Sequence, residues 1–243
     1  NGHAEVVKIL LEHYSPGIVG QKMRWNQKTP LDIATIRGHN VIANMIRTEA
    51  LGVQPLSQAA WKGQLELCAD LIQAGAEIND DCIRGWTALY LASEKGHADI
   101  CKLLLDHNAN VDQVMTWDGT TPLFIASQEG HAEVVEILLE HKASVDKANY
   151  DTINPLYVAC KNGHADIVQN LIKHKASIMP LNRGIHKELK SFLYLASENG
   201  HADVVKILLQ RDSSTINMSE GIGDCPLHIA SHKGHAEVVK ILL

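Results

Sequence analysis

Residues 115–146 read MTWDGTTPLFIASQEGHAEVVEILLEHKASVD. Trp117-Asp118-Gly119-Thr120 is polar and turn-like, and Gly119 is free to take positive φ. Thr121-Pro122 predicts a helix start. The threonine hydroxyl can accept from unpaired N–H groups of the first turn, and proline at the first helical position loses no hydrogen bond. Leu123 to Ser127 then reads as a first helix, ended at Gly130 by a left-handed cap. His131 to His141 reads as a second helix, with Val134, Val135, Leu138 and Leu139 forming an apolar stripe. Helices this short are marginal in water. The two must pack as a hairpin, and hairpins must lean on one another. Ala126, like Ala34, Ala92, Ala159, Ala196 and Ala230, allows that close approach.

The unit recurs. GHAEVVEILLEH from Gly130 returns as GHAEVVKILLEH from Gly2, GHADICKLLLDH from Gly96, GHADIVQNLIKH from Gly163, GHADVVKILLQR from Gly200 and GHAEVVKILL from Gly234. GHNVIANMIR from Gly38 and GQLELCADLI from Gly63 are weaker copies. The glycines at 96, 130, 163, 200 and 234 lie 34, 33, 37 and 34 residues apart. A period in this range denotes a stacked solenoid and not one globular core. With TPLFIA (Thr121 to Ala126), TPLDIA (Thr29 to Ala34) and CPLHIA (Cys225 to Ala230), the chain resembles the ankyrin repeat family over essentially its whole length. The resemblance implies an all-α ankyrin-repeat solenoid of stacked antiparallel helix pairs with β-hairpin-like fingers. It implies no single function, because such arrays bind very different partners.

The expected organisation is one array over residues 1–243, about seven repeats plus a partial N-terminal one. Gly38 and Gly63 are only 25 residues apart, and the stretch around RTEALGVQ is too short for a finger. A joint between sub-arrays is expected at 47–55. The wider step from Gly163 to Gly200 marks an insertion, RGIHKELK, at Arg183 to Lys190. The first residues form a second helix with no first helix before it, and the last stop inside another. Solenoid ends need polar caps, so a piece of a longer protein is expected.

Bulk properties narrow the function. The net charge of −6 disfavours nucleic acid as a partner, since phosphate binding needs a basic face. No apolar run is long enough to span a membrane, so no membrane insertion is expected. Cys68, Cys82, Cys101, Cys160 and Cys225 are odd in number and form no CxxC pair. Free thiols in the cytoplasm or nucleus fit this pattern better than a disulfide framework. Asn217-Met218-Ser219 matches a glycosylation sequon, as expected by chance once in a chain of this length.

Chemistry finds little support. His3, His39, His97, His131, His164, His201 and His235 each follow a turn glycine, or occupy its register, once per repeat. The ligands of one ion must converge, and these are separated by whole repeats. By resemblance this histidine packs on and hydrogen-bonds to the adjacent repeat's turn. His13, His107, His141 and His174 end second helices, where an imidazole suits the dipole. His228, His232 and His235 are the sharpest metal candidate, but two of them fall at family positions. No metal, no cofactor and no catalytic residue is expected. Phosphate-binding loops, nucleophile elbows, zinc-protease motifs and EF-hand loops are all missing from the sequence, and Asp80-Asp81 reads as a solvated turn. Asn79 stands where many ankyrin repeats carry an asparagine that can be hydroxylated, a property implied by the resemblance alone.

By resemblance, finger tips and the outer face of the first helices line a concave groove. Contact positions are those flanking the finger glycine and the two residues before Gly-His. All four tryptophans map there. Trp25 precedes Thr29-Pro30, Trp61 lies two before Gly63, Trp86 follows Gly85, and Trp117 lies two before Gly119. Tryptophan is the residue most enriched at binding hot spots. Lys28, Arg37, Lys62, Arg84 and Lys95 fall on the same half, against Glu94. The other half is mixed, with Gln128, Glu129, Tyr150, Asp151, Lys161, Asn162, Arg183, His186, Lys187 and Lys190.

The expected function is a non-catalytic protein–protein interaction scaffold that holds an acidic, apolar peptide or protein in its groove. The expected contacts are Trp25, Lys28, Arg37, Trp61, Lys62, Arg84, Trp86, Lys95, Trp117, Asp118, Glu129 and Tyr150. The alternative is the targeting or substrate-recognition arm of a larger protein such as a ubiquitin-ligase adaptor, a kinase or a channel. A purely mechanical spacer and nucleic-acid binding through the basic stripe complete the alternatives.

Overall fold

The computed structural model describes residues 55–80, 86–178, 191–212 and 225–243. Twelve helices occur among them: α1 Pro55–Trp61, α2 Leu65–Gln73, α3 Ala88–Lys95, α4 Ala98–Asp106, α5 Pro122–Glu129, α6 Ala132–Glu140, α7 Pro155–Asn162, α8 Ala165–Lys173, α9 Phe192–Glu198, α10 Ala202–Arg211, α11 Pro226–Lys233 and α12 Ala236–Leu242. No strand occurs among the described residues. The chain divides into two compact units, Asn1–Trp117 and Asp118–Leu243. The joint expected at 47–55 lies, apart from Pro55, outside the described residues.

Each repeat is built as its residues dictate. The first helix starts on a side-chain cap. Thr87 accepts from the Tyr90 N–H at 3.2 Å, Thr121 from Phe124 at 3.1 Å, Asn154 from Tyr157 at 2.9 Å and Ser191 from Tyr194 at 3.3 Å. Cys225 holds the same place without such a bond. The first helix of the central repeat runs to Glu129, two residues beyond the expected Ser127. Gln128 and Glu129 point away from the core, so their polarity costs the helix nothing. It stops at Gly130, whose φ is +87°. There the His131 N–H reaches back to the Ala126 carbonyl at 3.0 Å, and the same bond joins His164 to Ala159, His201 to Ala196 and His235 to Ala230. This six-residue closure satisfies carbonyls the helix end would leave unpaired.

Second helices end the same way. The Ala76 N–H bonds to Leu71 O, Ala109 to Leu104 O, Ala143 to Leu138 O and Ala176 to Leu171 O, at 2.9–3.0 Å. The left-handed residue in these turns is Gly75, Asn108, Lys142 and Lys175 in turn. Only the first of these is a glycine.

Packing is layered. In the first unit α1 packs on α2 and α3 on α4, while α1 also packs on α3 and α2 on α4. In the second unit first helices α5, α7, α9 and α11 pack in order on one another, as do second helices α6, α8, α10 and α12. Between the layers lie fully buried Leu71, Leu104, Leu123, Leu138, Leu156 and Leu171, with Ala60, Ala92, Ala126, Ala159, Ala196 and Ala230 at zero exposure. Burying each leucine stabilises by about 1.5–3 kcal/mol. The alanines permit the close helix approach that makes such burial complete.

Candidate partner-binding face

A glycine and a histidine join one repeat to the next. His97 donates from Nε2 to the Trp61 carbonyl at 3.3 Å. In the second unit His164 donates to Gln128 O at 3.0 Å, His201 to Lys161 O at 2.9 Å and His235 to Glu198 O at 3.0 Å. The acceptor is always two residues before the preceding turn glycine. Each ring packs against that glycine, so a Cβ on Gly63 would come within 2.7 Å of His97 and one on Gly130 within 2.6 Å of His164. These histidines join repeats, as the family resemblance implies. In the sharpest metal candidate, the His235 ring nitrogen is committed to Glu198.

The same device fixes the candidate site in the first unit. Trp61 ends α1, and its carbonyl is held by His97. Trp61 as a whole is 47 % exposed. The Lys95 ammonium lies 5.5 Å from the ring centroid and 2.9 Å from Glu94 Oε1. A cation over an indole face is worth about 0.5–1 kcal/mol at an exposed site. Glu94, which opposes the basic stripe in the sequence, is therefore the anchor that positions Lys95. Lys62 is exposed and forms no ion pair among the described residues. Trp86 is 40 % exposed, and its carbonyl accepts from Ser57 Oγ at 3.4 Å. Ser57 stands one turn before Trp61 on α1, so backbone contacts tie both tryptophans to the same helix. Trp117 is 67 % exposed and makes no ring contact among the described residues. Trp25, Lys28, Arg37 and Arg84 lie outside the described residues, as do Arg183, His186, Lys187 and Lys190.

The expected contacts of the second unit sit differently. The Asp118 carboxylate closes its own turn, accepting from the Thr120 N–H at 2.9 Å and the Thr120 hydroxyl at 2.7 Å. Tyr150 is 63 % exposed, yet its N–H donates to Asp118 O at 2.8 Å and its ring covers Gly119. Glu129 accepts from the neighbouring Gln128 amide at 2.9 Å. Asp118 and Tyr150 thus belong to the bracing between fingers. Spacing gave no sign of this, because it depends on a carbonyl and a glycine, 32 and 31 residues away, meeting Tyr150.

A second brace escaped the sequence reading. Asn79 Oδ1 accepts from the Asn110 N–H at 2.7 Å, and its amide donates to Asn108 O at 3.3 Å. Asp146 takes the same place in the second unit, accepting the Ser177 N–H at 3.0 and 3.1 Å. The signal was present in the sequence: both stand four residues after the left-handed residue that ends a second helix.

Reactive chemistry is sparse among the described residues. Cys68, Cys101, Cys160 and Cys225 are free thiols. Burial pushes Cys68 up to about 11 and Cys101 up to about 12, and raises Cys160 further. The thiolate is the nucleophile, so these three are packing residues. A depression of about 500 Å³ lies against Leu139, Glu140, Lys142, Ala143, Val145 and His174. None of the sequence-predicted site residues lines it. No helix among the described residues is long and apolar enough to cross a membrane.

Recurrent helix pairs joined through glycine and histidine agree with comparison to known proteins. Ankyrin repeats in three copies match residues 56–149 and 145–220, and a single ankyrin repeat matches 223–243. The chain belongs to the ankyrin repeat family. Ankyrin repeats are protein–protein interaction modules and are generally non-catalytic. Cortactin-binding protein 2 of Ornithorhynchus anatinus is 44% identical over 66 residues, 26% of this chain and 4% of that protein. Ankyrin repeat and KH domain-containing protein mask of Drosophila melanogaster is 35% identical over 97 residues, 36% of this chain and 2% of that protein. Ankyrin repeat and SAM domain-containing protein 6 of Rattus norvegicus is 43% identical over 61 residues, 25% of this chain and 7% of that protein. The chain thus spans only a few per cent of the length of these relatives.

Proposed function

We propose that this ankyrin array is a non-catalytic scaffold that holds a protein or peptide partner on the outer face of its first helices and fingers. One observation carries the reading: Trp61, Trp86 and Trp117 are exposed, whereas the buried core of the described residues holds no tryptophan. Large aromatics left in solvent have a cost unless a partner covers them. Lys62 and Lys95 beside them, on a chain of net charge −6, favour an acidic and apolar partner over nucleic acid. Trp25, Lys28, Arg37 and Arg84 would extend the same surface, and Asp118, Glu129 and Tyr150 would supply contacts in the second unit. We extend the repeat over residues 1–243 and place the protein in the cytoplasm or nucleus, a compartment that suits its free thiols.

The test is capture of partners from cell extract by the full chain and by its Trp86→Ala and Trp117→Ala variants. The variants should lose partners that the parent retains, at unchanged helical circular dichroism. Retention of every partner would show that the tryptophans are not the contact surface.

A second reading makes the array the targeting arm of a larger protein. It is favoured by relatives whose names carry KH and SAM domains and whose length this chain only samples. The full coding sequence decides it: an enzyme, channel or ligase-binding domain in the same chain supports it.

A further inference from the structure

Asparagine directly before glycine readily loses its side-chain amide, because glycine leaves the attacking backbone nitrogen unhindered and free to turn. The pair occurs at Asn1-Gly2, Asn162-Gly163 and Asn199-Gly200. Asn1-Gly2 lies outside the described residues. The other two hold one register position in successive repeats, at the turns that end α7 and α9, and both asparagines are exposed to water. Histidine follows both glycines. What differs is the partner each asparagine has found.

Asn162 is spent on the joint between repeats. Its amide donates to the Gln128 carbonyl at 2.8 Å, and His164 Nε2 donates to the same oxygen at 3.0 Å. Gln128 lies in the last turn of α5, where a helix leaves carbonyls unpaired. The Gly163 N–H is engaged as well, donating to Ala159 O at 3.0 Å. Both groups that would react, the Asn162 amide and the Gly163 nitrogen, are thus tied down while the joint is closed. Asn199 instead donates to Leu195 O of its own helix at 2.8 Å, and the Gly200 N–H reaches Ser197 O at 3.3 Å. Among the described residues the Asn199 side chain bonds to no other repeat.

We propose that Asn162-Gly163 is a deamidation site that the repeat joint keeps closed, and whose reaction unlocks that joint. When the end of α7 opens, the Gly163 nitrogen attacks the side-chain carbonyl carbon of Asn162. A bond forms between that nitrogen and Cγ, and the Cγ–Nδ2 bond breaks. Nδ2 leaves as ammonia, with the proton that the Gly163 nitrogen gives up. Water then opens the cyclic imide at either carbonyl, leaving aspartate or isoaspartate. Nothing is oxidised or reduced. The new carboxylate has no N–H to donate. It faces the Gln128 oxygen that the amide had bonded, and two negative oxygens repel. Isoaspartate also adds a methylene to the main chain at the helix cap. Either product weakens the joint between the α5 and α7 repeats. The change runs one way, so it accumulates with the time the joint spends open.

The experiment incubates the full chain in mildly alkaline buffer, with and without urea, and follows both sites by peptide mapping and mass spectrometry. In denaturing urea Asn162 and Asn199 should deamidate at similar rates. In buffer Asn162 should slow by about tenfold or more, and by more than Asn199 does. Urea below the unfolding transition should raise the Asn162 rate. His164→Ala should raise it by about fivefold, the factor that one lost hydrogen bond gives the open population. Asn162→Asp, which reproduces the aspartate product, should lower the urea midpoint more than Asn199→Asp. An Asn162 rate as fast in buffer as in denaturing urea overturns the inference, as does a rate in buffer no lower than that of Asn199. So does an Asn162 that stays intact in denaturing urea, a rate indifferent to low urea and to His164→Ala, or a midpoint unmoved by Asn162→Asp. Should His164→Ala fail to fold, the low-urea series on the unaltered chain decides.

Discussion

Gly130 and Lys142 have the same backbone hand and opposite tolerance for change. Gly130 has φ +87°, and a Cβ there would lie 2.6 Å from the His164 ring. Gly130→Ala therefore costs about 1 kcal/mol in left-handed strain, and roughly as much again by displacing the His164 bond to Gln128. A loss of about 2–3 kcal/mol is expected from urea denaturation followed by circular dichroism. Lys142 has φ +67° and ends α6 in solvent. Removing its Cβ relieves strain, so Lys142→Gly should raise stability by about 0.5–1 kcal/mol in the same measurement. Gly130 was legible in the sequence, because glycine after a helical run signals a left-handed cap. Lys142 was not, since lysine rarely takes that conformation. The buried Ala143, whose N–H must reach Leu138, imposes it from outside the residue.

Elements are short here and borrow order from their neighbours. The loop after α6 is tied to the loop after α8 by Asp146, which accepts the Ser177 N–H through both carboxylate oxygens. Asp146→Ala leaves that donor without its partner and should cost about 1–3 kcal/mol, read from the urea midpoint. Asp146→Asn should recover much of the loss, because Asn79 makes the equivalent bond to Asn110 with an amide. The helix start at Thr121 was readable, since a hydroxyl before a helix caps it locally, and the structure shows the same cap at Thr87 and Ser191. The braces were not readable, because each joins residues about a repeat apart. Asp118 and Tyr150 show the difference: both are near a finger tip by count, and the fold also uses both to hold fingers together.

At the scale of the molecule, all four tryptophans, Trp25, Trp61, Trp86 and Trp117, fall in the first compact unit and none in the second. Repeat arrays are stabilised by each repeat and by its nearest neighbours, so damage stays local. Gly130→Ala should therefore shift the urea transition seen by circular dichroism more than the one seen by tryptophan fluorescence. Coincident shifts would mean that the chain unfolds as one cooperative block. The periodic glycines, caps and apolar stripes determined the repeat, its helix pairs and its family from the sequence alone, because each acts within a few residues of chain. Tertiary structure alone decided which polar groups are spent on joining repeats and which stay exposed. Lys95 anchored by Glu94 over Trp61, and His97 bonded to the Trp61 carbonyl, depend on groups that meet only when helices and turns pack.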